Sequence, residues 1–222
     1  MQRHDLVWLH PSAIYSAPCV EFGSAEWSAL ADWLAIGRPL VAARQTVGTG
    51  RVQLGLSLPL VQSRKRLSIL VDPSQIAEVR PSLSVRQCMS RLPPDQAASL
   101  LEVASSIETS GARLGIYGSL AWESLSGELY RHDASDIDLI CDVADLMQYE
   151  IALTVLAQAI AKFPCRLEGE LRFPDGRSVA WQEILTLGEA LGKLVLVKGE
   201  QEVALLPLAD VLASLPPVMP AA

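Results

Sequence analysis

The stretch GIYGSLAWESLSGELYRHDASDIDLICD, residues 115–142, places two aspartates in an apolar segment. The residues around Asp136 and Asp138 predict a strand, and on a strand residues two apart lie on the same face. Neighbouring carboxylates repel each other unless a cation lies between them, and their hard oxygen atoms suit a divalent ion such as Mg²⁺. Asp136 and Asp138 are therefore predicted to hold Mg²⁺ and to be catalytic.

A predicted turn from strand to helix precedes the aspartates. Residues 114–117 read as a short buried strand that ends at Gly118 and Ser119, and residues 120–125 read as the first turns of a helix. Glycine lets a ligand approach the backbone, and helix amides with a hydroxyl group attract an anion, so Gly118 and Ser119 are predicted to bind phosphate. Alone, the glycine–serine pair could be a plain turn, and the aspartate pair a solvated strand face. Because the glycine–serine turn comes shortly before the aspartate pair in the chain, the two features together are predicted to form a single site.

The order G-S-x-x-x-E and then D-x-D resembles the nucleotidyltransferase superfamily. The matching residues are Gly118, Ser119, Glu123, Asp136 and Asp138. Within that superfamily, the chain is similar to the malonate decarboxylase holo-acyl-carrier-protein synthases, also called phosphoribosyl-dephospho-CoA transferases. The segments that carry this closer likeness are RHDLVWL, GRPLVAARQ, VQLGLSLPL, KRLSILVD, RLEGELRFPDGRSVAWQEI and LVLVK.

The resemblance implies a metal-dependent nucleotidyltransferase with Mg²⁺ as its cofactor. Such an enzyme would transfer phosphoribosyl-dephospho-CoA from triphosphoribosyl-dephospho-CoA to a serine of the apo acyl carrier subunit of malonate decarboxylase, with release of pyrophosphate. One alternative keeps the site but uses ATP or another NTP, with a small molecule or a protein as acceptor. The other is a non-catalytic protein that binds a nucleotide or a carrier.

A hairpin signal after the aspartates supplies candidates for a third metal ligand. The residues Pro-Asp-Gly at 174–176 predict a turn between strands over 166–173 and 177–185. Either strand could lie beside the aspartates and contribute a carboxylate, although a glutamate on a strand is more often solvated. The first choice is Glu183 on the second arm, and the competitors on the first arm are Glu170 and Glu168.

Basic residues and histidines give weaker signals. Lys198 ends an apolar strand over 195–198 and is a candidate for phosphate binding, although a lysine at a strand end is more often solvated. The basic run Arg64-Lys65-Arg66 reads as a solvated loop or hairpin end rather than a docking site. His132 lies near the aspartates, and a solvated loop is again the preferred interpretation.

Composition limits the class of protein. The chain has 222 residues, of which 50% are hydrophobic, enough to form the cores of two small modules. A net charge of −7 disfavours broad nucleic-acid binding, which requires a basic surface. No apolar run is long enough for a membrane span and the start has no secretory signal, so we expect a cytoplasmic protein without a membrane partner. The expected reduced structural thiols are Cys19, Cys88, Cys141 and Cys165.

The predicted fold class is α/β. An N-terminal α/β module is expected over residues 1–78, and a nucleotidyltransferase-like mixed sheet flanked by helices over residues 79–222. Prolines between residues 72 and 94 predict a linker and a short helix, with a boundary near 73–81. The Pro/Ala-rich tail, 216–222, is expected to be frayed, and the oligomeric state is left open. The other predicted helices cover 19–36, 95–110 and 143–162, and the remaining strands cover 40–45, 52–58 and 66–71.

Overall fold

The computed structural model describes residues 1–188, 190 and 192–216, so nearly all of the predicted frayed tail lies outside the described residues. Two sheets with helices packed on them confirm the α/β class. The first sheet and its helix are called the N-terminal module below, and the second sheet and its helices the C-terminal module. No helix in the described ranges is long and apolar enough to cross a bilayer.

The sheet of the N-terminal module is antiparallel throughout, in the order β2-β5-β4-β3-β1-β6. Its strands are β1 (Leu6–Leu9), β2 (Tyr15–Ser16), β3 (Leu40–Ala42), β4 (Val52–Ser57), β5 (Arg66–Val71) and β6 (Ile76–Arg80). Helix α1 (Ala25–Ala35) buries Leu30 and Trp33 against this sheet. The predicted helix over 19–36 thus begins later, because the hydroxyl group of Ser24 accepts the amide of Trp27 at 3.1 Å and caps the first turn.

The stretch 72–94, predicted as a linker with a short helix, contains that helix as α2 (Val85–Cys88) and also a strand, β6, that was not predicted. Within this range, β6 pairs antiparallel with β1 and completes the first sheet. Pro73 and Pro81 flank the strand, where they remove no hydrogen bond from the ladder. The chain passes to the second sheet between Arg80 and Leu83.

The sheet of the C-terminal module is mixed, in the order β13-β12-β11-β10-β9-β8-β7. Its strands are β7 (Leu83–Ser84), β8 (Arg113–Tyr117), β9 (Ile137–Asp142), β10 (Leu167–Arg172), β11 (Ser178–Ala180), β12 (Leu194–Lys198) and β13 (Val203–Pro207). Only β9 and β10 run parallel among the described pairs. The helices are α2 (Val85–Cys88), α3 (Pro94–Glu108), α4 (Gly118–Ser126), α5 (Leu146–Ile160), α6 (Trp181–Leu187) and α7 (Leu208–Leu212).

The second arm of the predicted hairpin is shorter than expected. Strand β11 ends at Ala180, and helix α6 follows at once where a continuous strand over 177–185 was predicted. Trp181 and Ile184, three residues apart, both enter the core, which fits a helix better than the alternating pattern of a strand.

The two faces of the second sheet differ in polarity. One face packs apolar side chains into the same core as α3 and α5, among them Leu114, Ile116, Leu139, Cys141 and Leu171. Since side chains alternate along each strand, the opposite face carries the polar residues Arg113, Tyr117, Asp138, Asp142, Glu170 and Arg172. The polar face lies against the start of the chain, which belongs to the N-terminal module.

Buried ions join the two modules at this face. Arg172, which is 4% exposed, donates to the carbonyl oxygen of Arg3 at 2.7 Å and to Asp5 at 3.2 Å. Glu170, which is 3% exposed, accepts from Lys198 at 2.7 Å and from Arg3 at 3.3 Å. These contacts fix the N-terminal segment against the sheet that carries the two aspartates.

Candidate active site

A cleft of about 740 Å³ lies between the two modules. The C-terminal module contributes the residues predicted for the site, Gly118, Ser119, Asp136 and Asp138, to its lining. The N-terminal module contributes the facing wall, which includes the ends of β3, β4 and β5 and the loop before β5. A volume of this size is typical of sites for sizeable small-molecule ligands.

The Gly118–Ser119 turn is built around Asp138. Gly118 has φ +67°, a left-handed conformation that favours glycine, and a Cβ atom at this position would overlap the Asp138 carboxylate. Tyr117, the last residue of β8, pairs with Asp138 across the β8–β9 ladder. The end of one strand, the start of α4 and the aspartate on the next strand therefore meet at one point.

The negative charge of the two aspartates is only partly compensated by neighbouring arginines. Asp136 lies immediately before β9 and Asp138 within it. Burial, followed by the charge of Asp136, raises the pKa of Asp138 to about 6, although Arg66 and the Ser119 amide lower it. Arg166 is 3.7 Å from the Asp136 carboxylate. Two hard oxygen donors with excess negative charge fit a divalent cation such as Mg²⁺.

The expectation that Glu183 lies on a strand beside the aspartates is wrong. Glu183 lies on α6, and its carboxylate accepts the amide of Leu196 at 2.9 Å. Leu196 belongs to β12, which β11 and β10 separate from the aspartate strand β9. Glu183 is not part of the cleft lining. The short apolar segment around Glu183 was compatible with either a strand or a helix, and burial of Trp181 decides for the helix.

The two competing glutamates lie on β10, next to the aspartate strand. Glu168 pairs with Asp138 in the parallel β9–β10 ladder, so their side chains share a face, and it forms an ion pair with Arg166. Glu170 is instead surrounded by the cations of the module interface. Across the described residues, no group of three or more histidine, cysteine, aspartate or glutamate side chains is gathered for a metal ion. Glu168 is thus the nearest of the three candidates by register.

Lys198 is not brought to the aspartates. Its ammonium group donates to Glu170 at 2.7 Å, and Lys198 does not line the cleft. Because its charge is already matched by a buried carboxylate, the expected role in phosphate binding has no support from the geometry.

The glutamate of the G-S-x-x-x-E pattern holds the loop that leads to the aspartates. Glu123 is buried, and its carboxylate accepts the amides of Tyr130 at 2.9 Å and Arg131 at 2.8 Å, together with the Arg131 guanidinium at 2.8 Å. Burial alone would raise the pKa of Glu123, but Arg131 and the two amides outweigh it and hold the pKa below its usual value. Glu123 therefore positions the loop from α4 to β9.

Several cleft residues were not predicted as site residues. Arg64 and Arg66 are exposed, as a solvated loop requires, and they also line the cleft. His132 lines it as well, and its amide donates to Ser135 at 3.0 Å. His4 stacks on Tyr117 with ring centroids 3.9 Å apart. In the sequence, Arg64, Arg66 and His4 could be noticed only as a dense basic run at 64–66 and as the RHD segment at residues 3–5. Neither pattern indicates that its side chains face the C-terminal module.

Comparisons with known proteins agree with the two-module organisation. Residues 2–82 match a family model described as the N-terminal domain of phosphoribosyl-dephospho-CoA transferase MdcG, and residues 82–209 match the C-terminal domain of the same family. The chain belongs to this transferase family. The resemblance to the phosphoribosyl-dephospho-CoA transferases is thereby confirmed.

Curated relatives in this transferase family carry the name phosphoribosyl-dephospho-CoA transferase. One from Xanthomonas campestris pv. campestris is 33% identical over 207 residues, which cover 92% of this chain and 93% of the relative. One from Bradyrhizobium diazoefficiens is 31% identical over 184 residues, which cover 82% of this chain and 81% of the relative. One from Pseudomonas putida is 27% identical over 179 residues, with 79% and 80% covered. No solved structure matches the chain.

Proposed function

We propose that the protein transfers phosphoribosyl-dephospho-CoA from its triphosphate precursor to a serine of the apo acyl carrier subunit of malonate decarboxylase, with release of pyrophosphate. The names of the relatives support the group that is transferred. The observation that carries the reaction type is the meeting of Asp136 and Asp138 with the Gly118–Ser119 turn in one cleft. This arrangement suits a phosphorylated donor.

Each part of the cleft has a role in this reaction. Asp136 and Asp138 would hold Mg²⁺, which would offset negative charge on the phosphates and lower the pKa of the attacking hydroxyl group. The backbone at Gly118 and the hydroxyl group of Ser119, at the start of α4, would bind the departing phosphates. Glu123 keeps the aspartate loop in place. Transfer of phosphoryl-type groups depends mainly on such positioning and electrostatics.

The chemical change is a substitution at phosphorus. The serine oxygen of the carrier bonds to the phosphorus nearest the ribose, and the bond from that phosphorus to the oxygen of the next phosphate breaks. Pyrophosphate leaves, and the serine proton is lost to water.

All four cysteines are free, which supports a reducing compartment, and we place the reaction in the cytoplasm.

Pyrophosphate release by the purified full chain with Mg²⁺ tests the proposal. Triphosphoribosyl-dephospho-CoA with the apo carrier is compared with ATP and the same carrier. Release only with the CoA-derived donor, and only when the carrier is present, is the expected result. Release with ATP alone would indicate a general nucleotidyltransferase, and the lack of release with either donor would indicate a binding protein.

A further inference from the structure

The cleft wall that faces the aspartates is basic. Arg3, Arg64 and Arg66, all from the N-terminal module, line it. Arg3 is paired with the buried carboxylate of Glu170 at 3.3 Å. Arg64 and Arg66 have no carboxylate within ion-pair distance anywhere in the described ranges. The wall thus presents two uncompensated guanidinium groups on a protein whose net charge is −7.

The loop before β5 directs these two arginines differently from the lysine between them. Lys65 forms an ion pair with Glu26 at the N-terminal end of α1, and Glu26 lies outside the cleft. Ser63 and Arg64 both have positive φ angles, 58° and 50°. Backbone hydrogen bonds hold this turn, from the amide of Ser63 to Leu60 at 2.9 Å and from that of Arg64 to Pro59 at 3.2 Å. The arginines therefore start from a fixed backbone.

Charge balance indicates what the two arginines meet. A divalent cation would neutralise Asp136 and Asp138, but a triphosphate brings several further negative charges into the cleft. The Gly118–Ser119 turn offers only neutral donors to those charges. Arg64 and Arg66 line the same cleft as Asp136 and Asp138. Guanidinium groups bind phosphate oxygens through paired, charge-assisted hydrogen bonds, so they supply the positive charge that the Gly118–Ser119 turn lacks.

We propose that Arg64 and Arg66 bind the phosphates of the donor that leave as pyrophosphate, across the cleft from Asp136 and Asp138. The N-terminal module then forms one half of a phosphate clamp, and not a surface that recognises the carrier. The identity of the donor rests on the proposed function, whereas the phosphate clamp itself does not.

Binding of inorganic tripolyphosphate tests the clamp without any transfer reaction. Isothermal titration calorimetry with Mg²⁺ compares the full-length wild type with Arg64→Gln, Arg66→Gln and the double variant. Each single variant is expected to weaken binding by about tenfold, because a hydrogen bond to a charged group is lost. Arg86→Gln is the matched control, since Arg86 is an exposed arginine on α2 outside the cleft. Affinity of the double variant within about twofold of wild type and control would overturn the proposal.

Kinetics separate the donor from the carrier. The double variant is expected to raise the KM for triphosphoribosyl-dephospho-CoA by about tenfold or more and to leave the KM for the carrier unchanged. Arg66→Lys, which keeps the charge but not the paired donors, is expected to recover only part of the loss. A raised KM for the carrier with an unchanged KM for the donor would overturn the clamp and make the arginines a docking surface for the carrier.

The two proposals fail in different ways. A wild type that binds tripolyphosphate through the arginines but releases no pyrophosphate from the CoA-derived donor would refute the proposed function and support the clamp. A wild type that completes the transfer, together with a double variant that binds tripolyphosphate normally, would refute the clamp alone.

Discussion

The folded structure disfavours the ionised form of Asp138. Burial and the neighbouring Asp136 both oppose its charge and raise the pKa of Asp138 to about 6, against an ordinary value of 3.8. The folded protein therefore binds a proton at Asp138 more readily than the unfolded chain does. Stability from this residue is present at low pH and is lost as the pH rises through the folded pKa.

Asp138→Asn is therefore expected to stabilise the metal-free protein while removing activity. Above the raised pKa the gain in the free energy of unfolding is at most about 3 kcal/mol, from a shift of about two pKa units. The gain should shrink as the pH falls toward about 4, where wild-type Asp138 is protonated in the folded state. Urea denaturation without Mg²⁺ at about pH 8 and about pH 4.5 measures the difference.

Asp133→Asn is the control for this substitution. Asp133 is an exposed aspartate in the loop before Asp136, and it does not line the cleft. Its replacement should leave the free energy of unfolding unchanged at both pH values. An Asp138→Asn protein that is less stable than wild type above the raised pKa would show that the carboxylate is not under strain.

At the scale of elements, the turn from β8 to α4 requires glycine for two reasons. Gly118 has a positive φ, and the Asp138 carboxylate occupies the space where its Cβ atom would lie. Gly37, which follows α1, has a similar φ of +71°, but a Cβ atom added there would meet no heavy atom within 4 Å. A comparison of alanine substitutions at Gly118 and Gly37 therefore separates the effect of the left-handed backbone from the effect of contact with Asp138.

Gly118→Ala is expected to abolish transfer, whereas Gly37→Ala is expected to leave it intact. Both variants should lose about 1 kcal/mol of stability from the left-handed backbone, and Gly118→Ala should lose more because Asp138 must move. Thermal unfolding and the rate of pyrophosphate release measure the two effects. Equal rates for the two folded variants would show that the close approach of Gly118 to Asp138 has no functional role.

Local patterns could be predicted, and ambiguous or exposed elements could not. The spacing of Asp136 and Asp138 sets a shared face on any strand, and Gly118 marks a turn by itself. Helix α6 was mistaken for a strand because the short apolar segment around Glu183 fits both periods. Strand β6 was missed because most of its residues are exposed, so it shows no alternation of apolar and polar residues.

At the scale of the whole molecule, buried ions and shared apolar contacts both join the two modules that form the cleft. Burial alone would raise the pKa of Glu170, but hydrogen bonds from His4 and Lys198 and the charge of Arg3 hold that pKa well below its usual value. The stability that Glu170 contributes is therefore present above its ordinary pKa of 4.5 and is lost as the pH falls below it.

Glu170→Gln is expected to destabilise the protein by about 3–5 kcal/mol near neutral pH, because Arg3 and Lys198 lose their buried counter-charge. The loss of stability in acid should also be shallower in this variant than in wild type. Urea denaturation across a pH series measures both effects. Glu102→Gln, an exposed glutamate on α3, is the control and should behave as wild type. Wild-type stability in Glu170→Gln would show that the ion network does not hold the modules together.

Contacts between modules lay beyond the reach of sequence patterns. The run from Arg64 to Arg66 has the same composition whether it faces bulk water or a cleft, and only the packing of the first sheet against the second places two of its residues opposite the aspartates. The same holds for Lys198, whose partner Glu170 lies 28 residues away in the chain. Pairings of this kind depend on the complete fold.

Intact-mass spectrometry of the apo carrier subunit tests the central claim most directly. The carrier is incubated with triphosphoribosyl-dephospho-CoA, Mg²⁺ and the wild type, Asp138→Asn or Asp133→Asn. The wild type and Asp133→Asn are expected to add the mass of one phosphoribosyl-dephospho-CoA group to a carrier serine, and folded Asp138→Asn is expected to add none. A carrier that gains this mass equally well with folded Asp138→Asn would contradict the assignment of the reaction to the cleft.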